Sequence, residues 1–286
     1  MLFTRGQGCG WIADLVSDGA AARVEGDLAA ACVAHRANVL VTAKASSFDL
    51  AHSLVLYSID EAIAPAAVVG AVGTGPHSPL VAETTARIAA GLGADALLVT
   101  MATDESDEDA KQVLKEMTLR APDADSQLIV ADTTAAFVAA LPPDGLLILG
   151  APGGSWWQRQ FFGAGRRLLH AAPAGAVVVK AVDRRCFHDL VPLAAFSPLM
   201  GAADAAAVME GAVAPVVDDR KIVGLVRRGA TVAAPVGTKV ADVMENPVFA
   251  LADDRVADIA ELVSHFDGSP IPVVDQEGQL LGGIRP

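Results

Sequence analysis

Short apolar runs recur through the middle of the chain, each separated from the next by a stretch with helical spacing. Ala67–Val72 (AVVGAV) reads as a buried strand, and Ala96–Met101 (ALLVTM), Ser126–Val130, Gly145–Leu149 and Gly175–Lys180 read as further strands. Between them, Ser78–Leu92 sets Leu80, Thr84, Ile88 and Leu92 on one helical face. Asp104–Arg120 reads as a charged surface helix. Glu105 and Asp107 stand early in it and Lys111, Lys115 and Arg120 late, the order that the helix dipole favours. Thr133–Ala140 is a shorter helix, and another runs from about Ala164 to Ala171. Strands alternating with helices predict an α/β domain with a doubly wound parallel sheet over residues 65–182.

After Val182 the texture becomes shorter and richer in turns, and the sequence repeats. APVVDDRKIVGLVRR (Ala214–Arg228) and IPVVDQEGQLLGGIRP (Ile271–Pro286) share PVVD, and each reads as a strand, a polar turn and a second strand. A helix precedes each hairpin, at Ala203–Met209 and Val256–His265, which divides the region into copies at 183–232 and 233–286. Residues 1–64 form a third section. In it, Ala22–Ala45 parallels Leu128–Gly150 with an offset of about 106 residues.

Composition narrows the function. Of the 286 residues 52% are hydrophobic and only 19% charged, a globular pattern with apolar surface to spare for subunit contacts, so a homo-oligomer, most simply a dimer, is expected. The net charge of −13 repels phosphate backbones and anionic lipids, arguing against nucleic-acid and membrane partners. Cys9, Cys32 and Cys186 lie far apart and no pair has metal-ligand spacing, so neither a metal nor a disulfide framework is expected. No apolar run is long enough to cross a bilayer and no signal-peptide core opens the chain, so the expected location is cytoplasmic.

The chemistry concentrates at the end of Gly145–Gly150. There GLLILG leads into APGGSWWQRQFFGAGRRLLHAA, with glycines at 150, 153 and 163 ahead of a helix. A glycine-rich turn between a strand end and a helix start presents bare N–H groups to an anion, the usual phosphate cradle of α/β proteins. Arg159, Arg166 and Arg167 in this stretch are either phosphate partners or solvated surface charge. Trp156, Trp157, Phe161 and Phe162 are either a lid or subunit contact, or a helical turn packed on its own domain.

In layout, residues 66–182 resemble the universal stress protein family, an adenine nucleotide alpha hydrolase-like fold. That family's loop after the fourth strand reads G-x2-G-x9-G-[Ser/Thr] and holds ATP phosphates. Gly150, Gly153 and Gly163 match its spacing, Ala164 stands at the hydroxyl position, and Gly73 stands near the place of the family's adenosine-side aspartate. The resemblance implies ATP or AMP as ligand. Its phosphates would lie on the amides of Gly150, Gly153, Gly154, Gly163, Ala164 and Gly165, and its base over Val72, Gly73, Thr74, Val99 and Met101. Residues 1–64 then read as a degenerate half of a second such domain. Leu54–Val72 also resembles the helix and last strand that close one, in competition with the reading of Ala67–Val72 as a first strand.

The helix–PVVD–turn order of the C-terminal copies resembles tandem cystathionine β-synthase (CBS) domains, a nucleotide-sensing pair, the second copy more clearly. Where that family carries a hydroxyl and an acid after the second hairpin strand, the first copy has Arg227 and Ala230. Arg227, Arg228 and Arg285 are either anion ligands or strand-end charges. Ser78 reads as a helix N-cap. His77, His170, His188 and the Cys186–Asp189 cluster read as structural, not catalytic or zinc-binding. The function expected is a non-enzymatic, stress-related regulatory protein sensing an adenine nucleotide. The alternatives are a ligand-free dimerising scaffold and a slow ATP hydrolase, the last lacking a general base near the loop.

Overall fold

The computed structural model describes residues 2–4, 9–17, 21–43, 48–57, 59, 65–151, 172 and 174–285. The chain packs as two units, Met1–Val182 and Asp183–Pro286. The first is a mixed α/β unit on one large sheet. Four strands come from its N-terminal section: β1 (Leu2–Thr4), β2 (Ala22–Val24), β3 (Val39–Thr42) and β4 (His52–Tyr57). Five follow: β5 (Ala67–Ala71), β6 (Asp95–Ala102), β7 (Asp125–Val130), β8 (Gly145–Gly150) and β9 (Ala176–Lys180).

Across the sheet the order is β2-β1-β3-β4-β9-β8-β5-β6-β7. Neighbours run parallel except at one seam, where β4 and β9 are antiparallel. That seam is self-reciprocal: Val55 faces Val178, with Leu54↔Val179 on one side and Leu56↔Val177 on the other. Outward from it the two wings repeat one order, β4-β3-β1-β2 and β9-β8-β5-β6, with β7 added at the edge of the second. The described strands of residues 1–64 are therefore a wing of the same sheet. Leu54 lies in β4, the last strand of its wing, and Ala67–Ala71 is the first strand of the other, so the competing assignment of Leu54–Val72 falls away. The parallel between Ala22–Ala45 and Leu128–Gly150 aligns β2 with β7, yet β2 borders β1 as β6 borders β5. Among the described residues the first wing has no counterpart of β7, and β2 ends the sheet on that side.

Side chains alternate across the pleat, and both faces are buried along β5, β8 and β9, as the continuous apolar runs require, whereas the edge strand β7 buries only Ile129 and leaves Val130 exposed. Val68, Leu98, Leu146 and Ile148 pack with α1 (Cys9–Ser17), α3 (Ser78–Leu92) and α4 (Glu108–Thr118) on one face. Val69, Val99, Leu147 and Leu149 pack with Phe137 of α5 (Thr134–Ala139) on the other. In the first wing α2 (Leu28–His35) is capped by Asp27, whose carboxylate accepts from Ala29 and Ala30 N–H.

The α3 helix spans the residues that its periodicity predicts and stops where Gly93 turns left-handed at φ 66°. Its buried face centres on Val81, Thr85 and Ile88, so Leu80 and Leu92 are only half-buried. The α4 helix starts later than the expected Asp104. Asp107 caps it by accepting from Ala110 N–H at 3.0 Å, while Asp104 closes a separate turn onto Ser106.

In the second unit, β10 (Val213–Asp218) and β11 (Lys221–Arg227) form a hairpin closed by two left-handed residues, Asp219 and Arg220 (φ 45° and 67°). β13 (Ile271–Val274) and β14 (Leu280–Ile284) form its counterpart, with β12 (Ala250–Leu251) parallel to β13. α6 (Ala202–Val208) lies one residue ahead of its expected place, and α7 (Arg228–Ala233) follows β11. The helix expected at Val256–His265 is instead a 3-10 turn, Ala260–Leu262, continued by α8 (Val263–Phe266).

The two leading segments pair with each other, and each also reaches the other copy's hairpin, Val191 bridging Gly283 and Glu245 bridging Leu225. Cys186 N–H donates to Asp254 O and Val240 N–H to Met200 O, both at 2.9 Å, and the bridge Arg185↔Arg255 is answered by Gly201↔Lys239. Residues 184–201 thus lead the first copy as 238–255 lead the second. Cys186 sits in this framework fully buried, its thiol pushed up to about 12 by burial and by Asp254, Asp189 and Asp253. The reactive thiolate form is suppressed there.

Gly70 in β5 is where helix and sheet approach most closely. A Cβ there would collide with Thr85 Oγ1 and stand 3.0 Å from Leu98 Cδ2. Thr85 cannot swing away, because it is fully buried and its hydroxyl donates to Val81 O at 2.7 Å. Gly70→Val is expected to lower stability by about 1–3 kcal/mol, read in urea unfolding; an unchanged midpoint would contradict this packing.

Candidate functional site

A parallel sheet in which successive strands are laid down first to one side and then to the other leaves a crevice where the order reverses. Here β5 is followed outward by β6 and β7, and the chain then returns to place β8 and β9 on its other side. At the C-terminal ends of β5, β6 and β8 lies a cavity of about 320 Å³. Ala71, Val99, Met101, Val113, Phe137 and Leu149 give it apolar walls; Thr74, His77, Ser78, Thr100, Asp107 and Asp109 add polar groups.

The structure brings Val72, Gly73, Thr74, Val99, Met101 and Gly150 to this one cavity. Gly153, Gly154, Gly163, Ala164 and Gly165 lie outside the described residues, as do Trp156, Trp157, Phe161, Phe162, His170 and the three arginines of that stretch. Ser78 does not cap α3. It is the first helical residue, and its Oγ accepts the Gly73 N–H at 2.9 Å, tying the loop back to the strand end. Gly73 therefore carries a backbone donor that is already spent. Thr100 Oγ1 donates to Val72 O at 2.9 Å, bracing β6 against the end of β5. Asp107 reads in the sequence only as a helix-start charge and Asp109 carries no signal there, although both come from the loop and first turn after a strand that ends at the crevice.

His77 joins this cavity to the end of the unit. Its Nδ1 accepts the Ala181 N–H at 3.1 Å, and His52 Nδ1 accepts the next amide, Val182 N–H, at 3.0 Å. Two imidazoles thus hold the last two residues of the first unit, across 104 and 130 positions of sequence. No local pattern signals such bonds. Each requires the neutral ring with its proton on Nε2. Burial, then the charges of Lys180 and His52, lowers the His77 pKa below the ordinary histidine value. Burial lowers that of His52 against the opposing pull of Glu83.

In the second unit Arg227 is engaged as a strand-end charge. Its guanidinium donates to Glu245 at 3.0 and 3.2 Å, to Asp267 at 3.4 Å and to His265 O at 3.3 Å. Arg227 thus stands between two carboxylates, and an anion would have to displace them. Arg228 holds Ala212 O through its backbone N–H and is exposed. The Cys186–Asp189 stretch is a 3-10 turn in which His188 Nδ1 accepts from Arg185 N–H, and no metal-binding group occurs among the described residues.

The leading segment, short strand and hairpin of the second copy correspond to a known module, and the match is to the family model of the CBS domain. Residues 240–284 are a CBS domain. Similar solved structures include the CBS-pair protein CBSX2 of Arabidopsis thaliana, 22% identical, covering 34% of this chain and 85% of that one at a TM-score of 0.31. The CBS domains of a transcriptional regulator from Streptococcus pneumoniae are 18% identical over 34% and 87%, with a TM-score of 0.31. CBSX2 solved in complex with AMP is 25% identical over 33% and 84%, with a TM-score of 0.30. No curated protein matches the chain. The preceding repeat, which begins near Arg184, has the same order of leading segment and hairpin.

The histidine pair gives a pH dependence of definite sign. Because both folded-state pKa values are lowered, the unfolded chain takes up protons first as pH falls below about 6.5. Stability therefore declines through that window. Calorimetric melting from about pH 7.5 to about pH 5.5 should show a falling midpoint. The His52→Gln/His77→Gln chain should fall less steeply; equal slopes would remove the histidines as the cause.

Proposed function

We propose that this chain is a non-enzymatic regulatory protein that senses an adenine ligand in the first unit and carries a CBS pair as its second regulatory element. The carrying observation is the cavity at the strand-order reversal, where ligands of open α/β sheets characteristically bind. At about 320 Å³ it suits a small molecule, and its apolar walls suit the faces of a purine ring. The stress-protein-like reading of the sheet, with residues 1–64 as a shortened second half and ATP or AMP as ligand, belongs to this proposal. So do a homodimeric state and a cytoplasmic setting.

The use of the lining side chains supports a sensor over a hydrolase. Ser78, Thr100, Asp107 and His77 each spend a polar atom on a backbone bond that shapes the cavity. A general base needs an acceptor within reach of the attacking water, and His77 does not supply it, because its accepting ring nitrogen is already bonded. For the CBS pair, AMP binding by CBSX2 is the precedent for an adenine nucleotide. The two carboxylates on Arg227 weigh against a phosphate at that point of the first copy, so this reading rests on the cavity.

Gly73→Leu tests the proposal. A Cβ at Gly73 meets nothing within 4 Å, so the side chain can enter the cavity without disturbing the backbone. Calorimetric titration with ATP, AMP and adenosine should give binding heat at the cavity that this variant loses while its melting midpoint is kept. Absence of any heat that depends on residue 73 would overturn the proposal.

A further inference from the structure

Resting on the reading that the cavity takes an adenine ligand, we infer that its own ligand is the uncharged nucleoside, held by its ribose hydroxyls on Asp107 and Asp109, and not a nucleoside triphosphate. Among the described residues that line the cavity none is lysine or arginine, whereas two are aspartates. Asp107 spends one oxygen on Ala110 N–H and keeps the other as an acceptor; Asp109, two residues on in the first turn of the helix, is exposed. The nearby cation of α4, Lys111, is committed to Glu108 at 2.8 Å.

Ionised carboxylates accept hydrogen bonds and offer none. Their natural complements are vicinal hydroxyls, and a phosphate placed beside them meets like charge. The start of α3, which would ordinarily attract an anion, has little to give. Ser78 N–H bonds Gly75 O, Pro79 has no N–H, and Val81 N–H bonds His77 O. The remaining ring atom of His77, an Nε2–H, is a neutral donor and adds no positive charge. Size agrees, since about 320 Å³ stands at the lower end of the range for small-molecule sites.

The test is calorimetric titration of the full chain with adenosine, 2′-deoxyadenosine and ATP, with Gly73→Leu separating cavity heat from any at the CBS pair. Adenosine should bind at least about tenfold tighter than ATP, and 2′-deoxyadenosine about tenfold more weakly than adenosine. Asp107→Asn/Asp109→Asn keeps the α4 cap, because asparagine also caps. It should close most of the gap between adenosine and ATP. ATP binding as tightly as adenosine, or a gap unmoved by the double variant, overturns this inference and leaves the sensor reading standing. No cavity-dependent heat from any of the three overturns both.

Discussion

The antiparallel pairing of β4 with β9 is the constraint on which the first unit depends. A strand at the edge of a parallel sheet exposes a row of unpaired N–H and C=O groups. Here the last strand of each wing satisfies that row on the other. The seam residues Leu54, Val55, Val177, Val178 and Val179 are buried, so the pairing also closes the apolar layers on both faces. One chain thereby supplies both sides of a contact whose near-symmetry is that of a two-subunit interface.

The cavity inherits its shape from this arrangement. Because β9 is fixed at the seam, the residues just beyond it, Ala181 and Val182, come within reach of His77 and His52. His77 in turn stands at the start of α3 and in the cavity wall. Gly150 allows this closeness, since a Cβ there would lie 3.1 Å from His77 Cβ. The cavity wall and the anchoring of the unit's final residues thus share one imidazole.

The second unit uses the same economy at a smaller scale. Each copy's hairpin is joined by the leading segment of the other, through the bridges Val191–Gly283 and Leu225–Glu245. The resulting core of Phe196, Met209, Val216, Val226 and Val240 mixes residues from the lead, helix and hairpin.

Local pattern alone located β5 to β9, the span of α3 and the two C-terminal hairpins, because strand burial and helical periodicity are written in consecutive residues. Turn chemistry did the same for the paired PVVD copies. The ends of β5 and β8 were legible for the same reason, since an apolar strand followed by glycine marks its own C-terminus. Three features lay beyond that reach. The joining of residues 1–64 into the same sheet, the bonds of His77 and His52 to amides over a hundred residues away, and the placing of Asp107 and Asp109 at a cavity mouth all depend on strand order. Strand order is decided by which edges find partners once the chain has collapsed. The sequence determined the elements and their faces. The tertiary structure decided their neighbours, because hydrogen bonding and packing between distant segments follow from the whole set of buried surfaces and not from any one of them.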